Sequence, residues 1–227
     1  MRFPFVVLDL AGTLVDTTED LTAALNLVLE QQGQPPLASP QVAKWAGDNL
    51  RAILRAAFAA SGRILTDLET GELLNDFRKT HAETLGQHAR LHPGVPEALS
   101  ALAAGGVRMS LLTNKPLATT LRLAARMGLA EFFDYVVAGD GEGPRKPDPA
   151  GLTQLMAQGQ ARKAATLVVG STRLDLETAR NAGVRCALIE QSGGPAVRGM
   201  GADYVLAQPQ MLVALCVYRP LSDAWLV

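Results

Sequence analysis

Cysteine is scarce in this sequence, with two residues in 227, Cys186 and Cys216. Both lie inside apolar runs, VRCALI and LVALCVY, where a thiol acts as a small buried hydrophobe, so a disulfide-rich secreted scaffold is excluded. Histidine is scarce too. His81, His88 and His92 stand near one another without metal-ligand spacing or a partner cysteine, which leaves surface or capping roles for them. An excess of charge of either sign is missing: 21 Lys and Arg against 22 Asp and Glu give a formal net charge of −1. That balance argues against the basic footprint needed by nucleic acid or an anionic membrane surface. No run reaches the ~18 uncharged apolar residues of a spanning helix. The opening MRFPFVVLDLAG is broken by Asp9 and lacks a cleavage site after a long apolar stretch, so no signal peptide is expected and the default address is the cytoplasm. The glycine-rich GDGEG at 139–143 does not have G-x-G-x-x-G spacing and reads as a loop.

What is present suffices for a sizeable core: 48% of residues are hydrophobic and 19% charged. At roughly 150 residues per domain, the length fits one large domain carrying an insertion. Short β-branched or leucine-rich runs at 5–10, 107–113, 134–138, 166–170, 184–189 and 203–206 read as buried strands. Between the later ones lie PEALSALAAGG, LATTLRLAARMG, DPAGLTQLMAQG and LDLETARNAG, with apolar residues at helical spacing and a terminal glycine suited to a left-handed cap. Alternating strand and helix predicts an α/β fold, a Rossmann-like parallel sheet covered on both faces. From 17 to 87 the pattern is all-helical, with N-caps expected at Thr17 or Thr18, Ser39 and Thr66, and Pro40 at the first helical position. The expected domains are therefore a core of 1–16 and 88–227 and an inserted all-helical domain of 17–87, with a hinge in RLHPGVPEAL. The apolar run MLVALCVYRPLSDAWLV either packs on the core or offers a partner surface, and monomer and homodimer both stay open.

In such a sheet, ligands bind beyond the carboxyl ends of the strands, where strand order reverses. After the first strand comes Asp9-Leu10-Ala11-Gly12-Thr13, and after the second Thr113-Asn114-Lys115-Pro116. The third is followed by a loop ending Arg145-Lys146-Pro147-Asp148-Pro149, and the fourth by Ser171-Thr172-Arg173-Leu174-Asp175. Together these supply a carboxylate, hydroxyls, a carboxamide, a cation and glycines that let backbone amides approach an anion, a set that suits a phosphoryl group.

In LDLAGTLVD, LLTNKP, RKPDP and VVGSTRLDLETARNAG, taken in order, the chain resembles the haloacid dehalogenase (HAD) superfamily. Within it the chain looks like the phosphoglycolate-phosphatase-like group, whose helical cap follows the first strand. The resemblance implies a hydrolase acting on a small phosphorylated metabolite, with Asp9 as nucleophile forming an aspartyl-phosphate, and Thr113 and Lys146 completing the catalytic set. It further implies that Gly12, Thr13 and Asn114 bind substrate, that Mg²⁺ is held by Asp9, the Ala11 carbonyl and Asp175, and that cap closure excludes water. The chain departs from the pattern at two points. Ala11 stands where the family has its acid/base aspartate, and Ser171 replaces the first aspartate of the fourth motif. Three alternatives therefore stay open. One is a phosphoester-binding pseudoenzyme. The second is a phosphonoacetaldehyde-hydrolase-like enzyme using Lys44, desolvated beside Val42 and Trp45, as a Schiff-base amine. The third is a metal-independent dehalogenase with Arg51, Arg55 and Trp45 as its halide cradle.

Overall fold

The computed structural model describes residues 1–46, 48–141, 143–190 and 196–218. Among them the strands are β1 (Phe5–Leu8), β2 (Val15–Asp16), β3 (Arg90–Leu91), β4 (Arg108–Leu112), β5 (Tyr135–Val137), β6 (Thr166–Gly170), β7 (Arg185–Ile189) and β8 (Tyr204–Leu206). The helices are α1 (Thr18–Gln31), α2 (Ser39–Val42), α3 (Leu50–Ala60), α4 (Asp67–Thr84), α5 (Val95–Ala104), α6 (Leu117–Arg126), α7 (Ala150–Gln158), α8 (Arg173–Ala182) and α9 (Met211–Val217). Two compact units divide the chain: Met1–Val15 with most of the chain from Leu91 onward, and Asp16–Arg90. β2 and β3, where the chain passes from one unit to the other, pair as a short sheet of their own.

In the first unit six strands form one parallel sheet in the order β5-β4-β1-β6-β7-β8. The chain builds outward from β1 to β5 and then returns to build β6 to β8 on the other side. The reversal of strand order therefore falls between β1 and β6, which opens a crevice beyond their carboxyl ends. Val6, Val7 and Leu8 are fully buried, which is why β1 reads as a continuous apolar run rather than an alternating one. Phe5, Val7 and Val168 share one core cluster with Leu152 and Leu155 of α7 and Leu176 of α8.

Three glycine caps behave as expected: Gly106, Gly128 and Gly183 take positive φ after α5, α6 and α8. α7 differs. Gly159 keeps a right-handed conformation and Gln160 turns instead, at φ 50°. The glycine serves close packing here, because a Cβ on it would lie 2.5 Å from the Phe5 ring. At the C-terminal run, α9 packs inward through Leu212, Leu215 and Cys216, and the Cys216 carbonyl accepts from the N–H groups of Arg2 and Phe3. The expected apolar segment from 219 on lies outside the described residues. Both thiols are buried, and burial pushes that of Cys216 up to about 12.

The second unit closes on its own apolar cluster, in which Leu25 and Leu29 of α1, Leu54 and Phe58 of α3, and Phe77 of α4 are fully buried. Thr66 caps α4 in a reciprocal box with Glu69, as its sequence predicts. Thr17 takes the N-cap position of α1, as expected, but its side chain makes no capping bond, and the N–H of Thr18 donates to Asp16 Oδ1 instead. The third cap is corrected: Ala38 stands at the N-cap of α2, so Ser39 is its first helical residue and Pro40 its second. The stretch from 39 to 60, which reads as one helix, is divided because Asn49 accepts from the N–H of Ala52 and starts α3 afresh. His81 is also corrected: it is buried and stacks on Phe77.

A buried carboxylate ties this unit to itself. Asp20, in the first turn of α1, accepts from the N–H of Gly86 at 2.6 Å and of His88 at 2.7 Å. Asp20→Ala leaves the buried Gly86 amide without a partner, at about 1–3 kcal/mol, and costs less at the part-buried His88 amide, which water can reach. The expected result is a lower midpoint in urea unfolding, with α4 and the 85–88 turn losing hydrogen-exchange protection first.

Candidate active site

Asp9 directly follows β1, and its N–H donates to the Val169 carbonyl of β6 at 2.9 Å. The central strand therefore delivers this carboxylate to the point where strand order reverses. Asp175, at the third position of α8, faces it from beyond β6. Its Oδ2 accepts from the N–H groups of Ser171 and Thr172 and from Thr172 Oγ1 at 3.2, 3.1 and 2.7 Å. Glycine at position 170 makes this possible, since a Cβ there would fall 2.3 Å from the Asp175 Cβ. Between the two carboxylates lies Lys146, with Nζ 2.8 Å from Asp9 Oδ1 and 2.6 Å from Asp175 Oδ1. The Lys146, Asp9 and Asp175 side chains are 5%, 12% and 2% exposed, so of the three it is Asp9 that an incoming ligand reaches most readily.

Thr13 Oγ1 donates to Asp9 Oδ2 at 3.3 Å and lies 3.1 Å from Ser171 Oγ, which in turn donates to the Gly12 carbonyl at 2.9 Å. Gly12 supplies the turn, with φ +86° and its N–H bonded to the Val15 carbonyl. Ala11 bridges to Val15 in the same turn and brings no titratable group. Thr113, buried at the end of β4, accepts from the N–H of Lys115 at 3.2 Å, which leaves its hydroxyl proton for a ligand oxygen.

Charge follows from this arrangement. Burial, reinforced by the Asp175 charge, raises the Asp9 carboxyl above the ordinary carboxylate range against the pull of Lys146 and, more weakly, Lys115. Burial would raise Asp175 too, but the ammonium of Lys146 and the bonds from Thr172 and Ser171 hold it below that range. For Lys146, burial is outweighed by Asp175 and then Asp9, which keep the amine protonated.

The structure thus brings Asp9, Gly12, Thr13, Lys146, Ser171 and Asp175 together in one unit. Asn114, expected to face the substrate, is placed differently. Its Nδ2 donates to the Lys146 carbonyl and its Oδ1 accepts from the Lys146 N–H, so the carboxamide clamps the lysine's backbone. Lys44 belongs to the helical unit and is exposed, without the desolvation that a Schiff-base amine needs. Arg51 and Arg55, considered for a halide cradle, both bind Asp67, at 3.0 and 2.8 Å. Sequence reading missed the Asn114 clamp, the hydroxyl pair Thr13–Ser171 and the box closed by Thr172. Only the last had a local signal, the spacing Thr-x-x-Asp at 172–175. Concavity alone points elsewhere: a hollow of about 490 Å³ beside β5, lined by Leu117, Val137, Asp140 and Gly151 among others, includes none of these residues.

A doubly wound sheet with a carboxylate directly after its central strand, and a buried lysine bound to that carboxylate, defines an α/β protein with a charged cluster at the switch point. The chain belongs to the haloacid dehalogenase-like hydrolase family, whose model matches residues 6–189. It is 36% identical over 195 residues to phosphoglycolate phosphatase 1 of Pseudomonas aeruginosa, covering 83% of this chain and 70% of that one. It is 31% identical over 223 residues to the plasmid phosphoglycolate phosphatase of Cupriavidus necator, covering 96% and 95%. Among solved structures, a haloacid dehalogenase-like hydrolase of Streptococcus pneumoniae shares the fold with a TM-score of 0.81, at 21% identity over 94% of this chain and 98% of that one. A HAD-superfamily hydrolase of Geobacter sulfurreducens shares it with a TM-score of 0.71, at 22% identity over 95% and 97%. No helix among the described residues is long and apolar enough to cross a membrane.

Proposed function

We propose that this protein hydrolyses a small phosphorylated metabolite by way of a phosphoryl group carried on Asp9. One observation carries the reading: Asp9, the most exposed member of its cluster, stands at the strand reversal with the Lys146 ammonium 2.8 Å from Oδ1. An oxygen of Asp9 attacks phosphorus as the bond to the leaving oxygen breaks, and the leaving group departs with that electron pair. Water then attacks phosphorus, gives its proton to solvent and releases inorganic phosphate, which restores the carboxylate. Lys146 screens the repulsion between carboxylate and phosphoryl oxygens, and the Thr113 hydroxyl donates to one of those oxygens. Selection of the substrate is assigned to the helical unit, read as a cap.

Ala11 cannot protonate the leaving group, a contribution typically worth about 10²–10⁴ in rate. Substrates whose leaving group is a stable anion are therefore favoured over simple alkyl phosphates. Phosphoglycolate, suggested by the names of the relatives, is itself an alkyl phosphate, so it is the metabolite to compare with an aryl or acyl phosphate, and the slower of the two is expected to be phosphoglycolate. Magnesium on Asp9, the Ala11 carbonyl and Asp175 does not fit these residues as they stand, because the Lys146 ammonium already bridges Asp9 Oδ1 and Asp175 Oδ1, and Oδ2 of Asp175 accepts three bonds within the protein.

Trapping tests the reading. After incubation with p-nitrophenyl phosphate, acid quench and borohydride reduction, the peptide containing Asp9 is expected to carry homoserine at that position, with p-nitrophenolate released. Failure of both signals overturns hydrolysis and leaves a phosphoester-binding protein of the same fold.

A further inference from the structure

We propose that the Lys146 ammonium is the resident cation of this site, and that the site binds its phosphoryl ligand without a divalent metal. The inference rests on the phosphoryl reading above and adds to it what balances the charge. Three observations support it. First, Nζ of Lys146 bridges Asp9 and Asp175 at 2.8 and 2.6 Å, between the two carboxylates to which a metal would bind. Second, Asp175 is heavily committed: Oδ2 accepts from the two N–H groups and the hydroxyl of Ser171 and Thr172, and Oδ1 accepts from Lys146, whose ammonium a metal would have to displace from the face it shares with Asp9. Third, position 171 offers a neutral hydroxyl turned to the Gly12 carbonyl and Thr13 in place of a charged carboxylate. Mg²⁺ demands a near-octahedral set of oxygens and gives up its water reluctantly. Among the described residues there is no cluster of three or more histidine, cysteine, aspartate or glutamate side chains to compensate.

The local charge is consistent with this. Two carboxylates and one ammonium leave the buried cluster with a single net negative charge, which a second positive side chain, Lys115, offsets within electrostatic reach of Asp9. Carboxylates at positions 11 and 171 would add two negative charges, which a divalent cation would cancel. Alanine at one position and serine at the other remove the need for both together.

The test is isothermal titration of the full chain after chelator treatment. Titrated with Mg²⁺ alone, the protein is expected to show no saturable binding, whereas Ala11→Asp combined with Ser171→Asp is expected to gain a saturable site. Saturable Mg²⁺ binding by the parent that disappears in Asp9→Asn overturns the proposal. Titrated with inorganic phosphate, the parent is expected to give the same Kd, within twofold, in chelator and in millimolar Mg²⁺. Phosphate binding that tightens tenfold or more with Mg²⁺ overturns the proposal and leaves the phosphoryl reading standing. An absence of phosphate binding in both buffers overturns the phosphoryl reading, and with it the metal-free binding claimed here.

Discussion

Replacing Asp9 with asparagine is expected to remove hydrolysis of p-nitrophenyl phosphate by roughly 10³-fold or more, as deletion of an attacking group does, without weakening the fold. The second half of this expectation is unusual for a buried polar residue. Burial holds the Asp9 carboxyl above the ordinary range, so at neutral pH the charged form is one that the folded protein tolerates at a cost. Sign follows from linkage: a carboxyl whose pKa is raised by folding contributes stability at low pH that is lost as pH rises through the folded value. Asparagine carries no charge, and its Oδ1 still accepts from Lys146, which keeps Asp175 as its ionic partner. The unfolding midpoint at pH 7 is therefore expected to equal or exceed that of the parent. A variant that is both inactive and several kcal/mol less stable would mean that Asp9 is a structural ion-pair partner rather than the attacking group.

Lys146→Met should do the opposite to the fold. It leaves Asp9 and Asp175 facing each other across a site in which their side chains are 12% and 2% exposed, with no cation between them. Removal of one partner from a buried ion pair costs about 3–5 kcal/mol. Activity falls as well, because phosphoryl oxygens then meet uncompensated carboxylate. Acid should partly rescue the fold: both carboxyls, now raised above their unfolded values, take up protons as pH falls toward 5, and the stability deficit against the parent narrows. Urea unfolding of both proteins at pH 7 and pH 5 measures this. A deficit that widens in acid contradicts the assignment.

The sheet was legible because each strand is a short apolar run bounded by turn residues, and because a strand buried on both faces needs no alternation, as FVVL shows. The convergence of Asp9, Lys146 and Asp175 was legible from their places after successive strands, since a parallel sheet puts all those ends on one side. What escaped is what depends on distance in the chain. Asn114 meets the backbone of Lys146 across 32 positions, and Asp20 meets His88 across 68. Read locally, the first is a loop carboxamide and the second an acidic residue near a helix start. The turn at Gln160 escaped for a related reason: the neighbouring glycine is claimed by the ring of Phe5, far back in sequence. Ser110, buried in β4 with no partner for its hydroxyl among the described residues, has no evident rationale.

The position of β1 in the middle of the sheet also sets a timetable. This strand is synthesised before both of its neighbours, β4 and β6, which begin at Arg108 and Thr166. A nascent chain therefore carries Asp9 for well over a hundred residues of synthesis before Lys146 and Asp175 arrive beside it. The burial and the charged neighbours that alter the Asp9 carboxyl therefore depend on the later half of the sheet docking against the strand that carries it to the crevice.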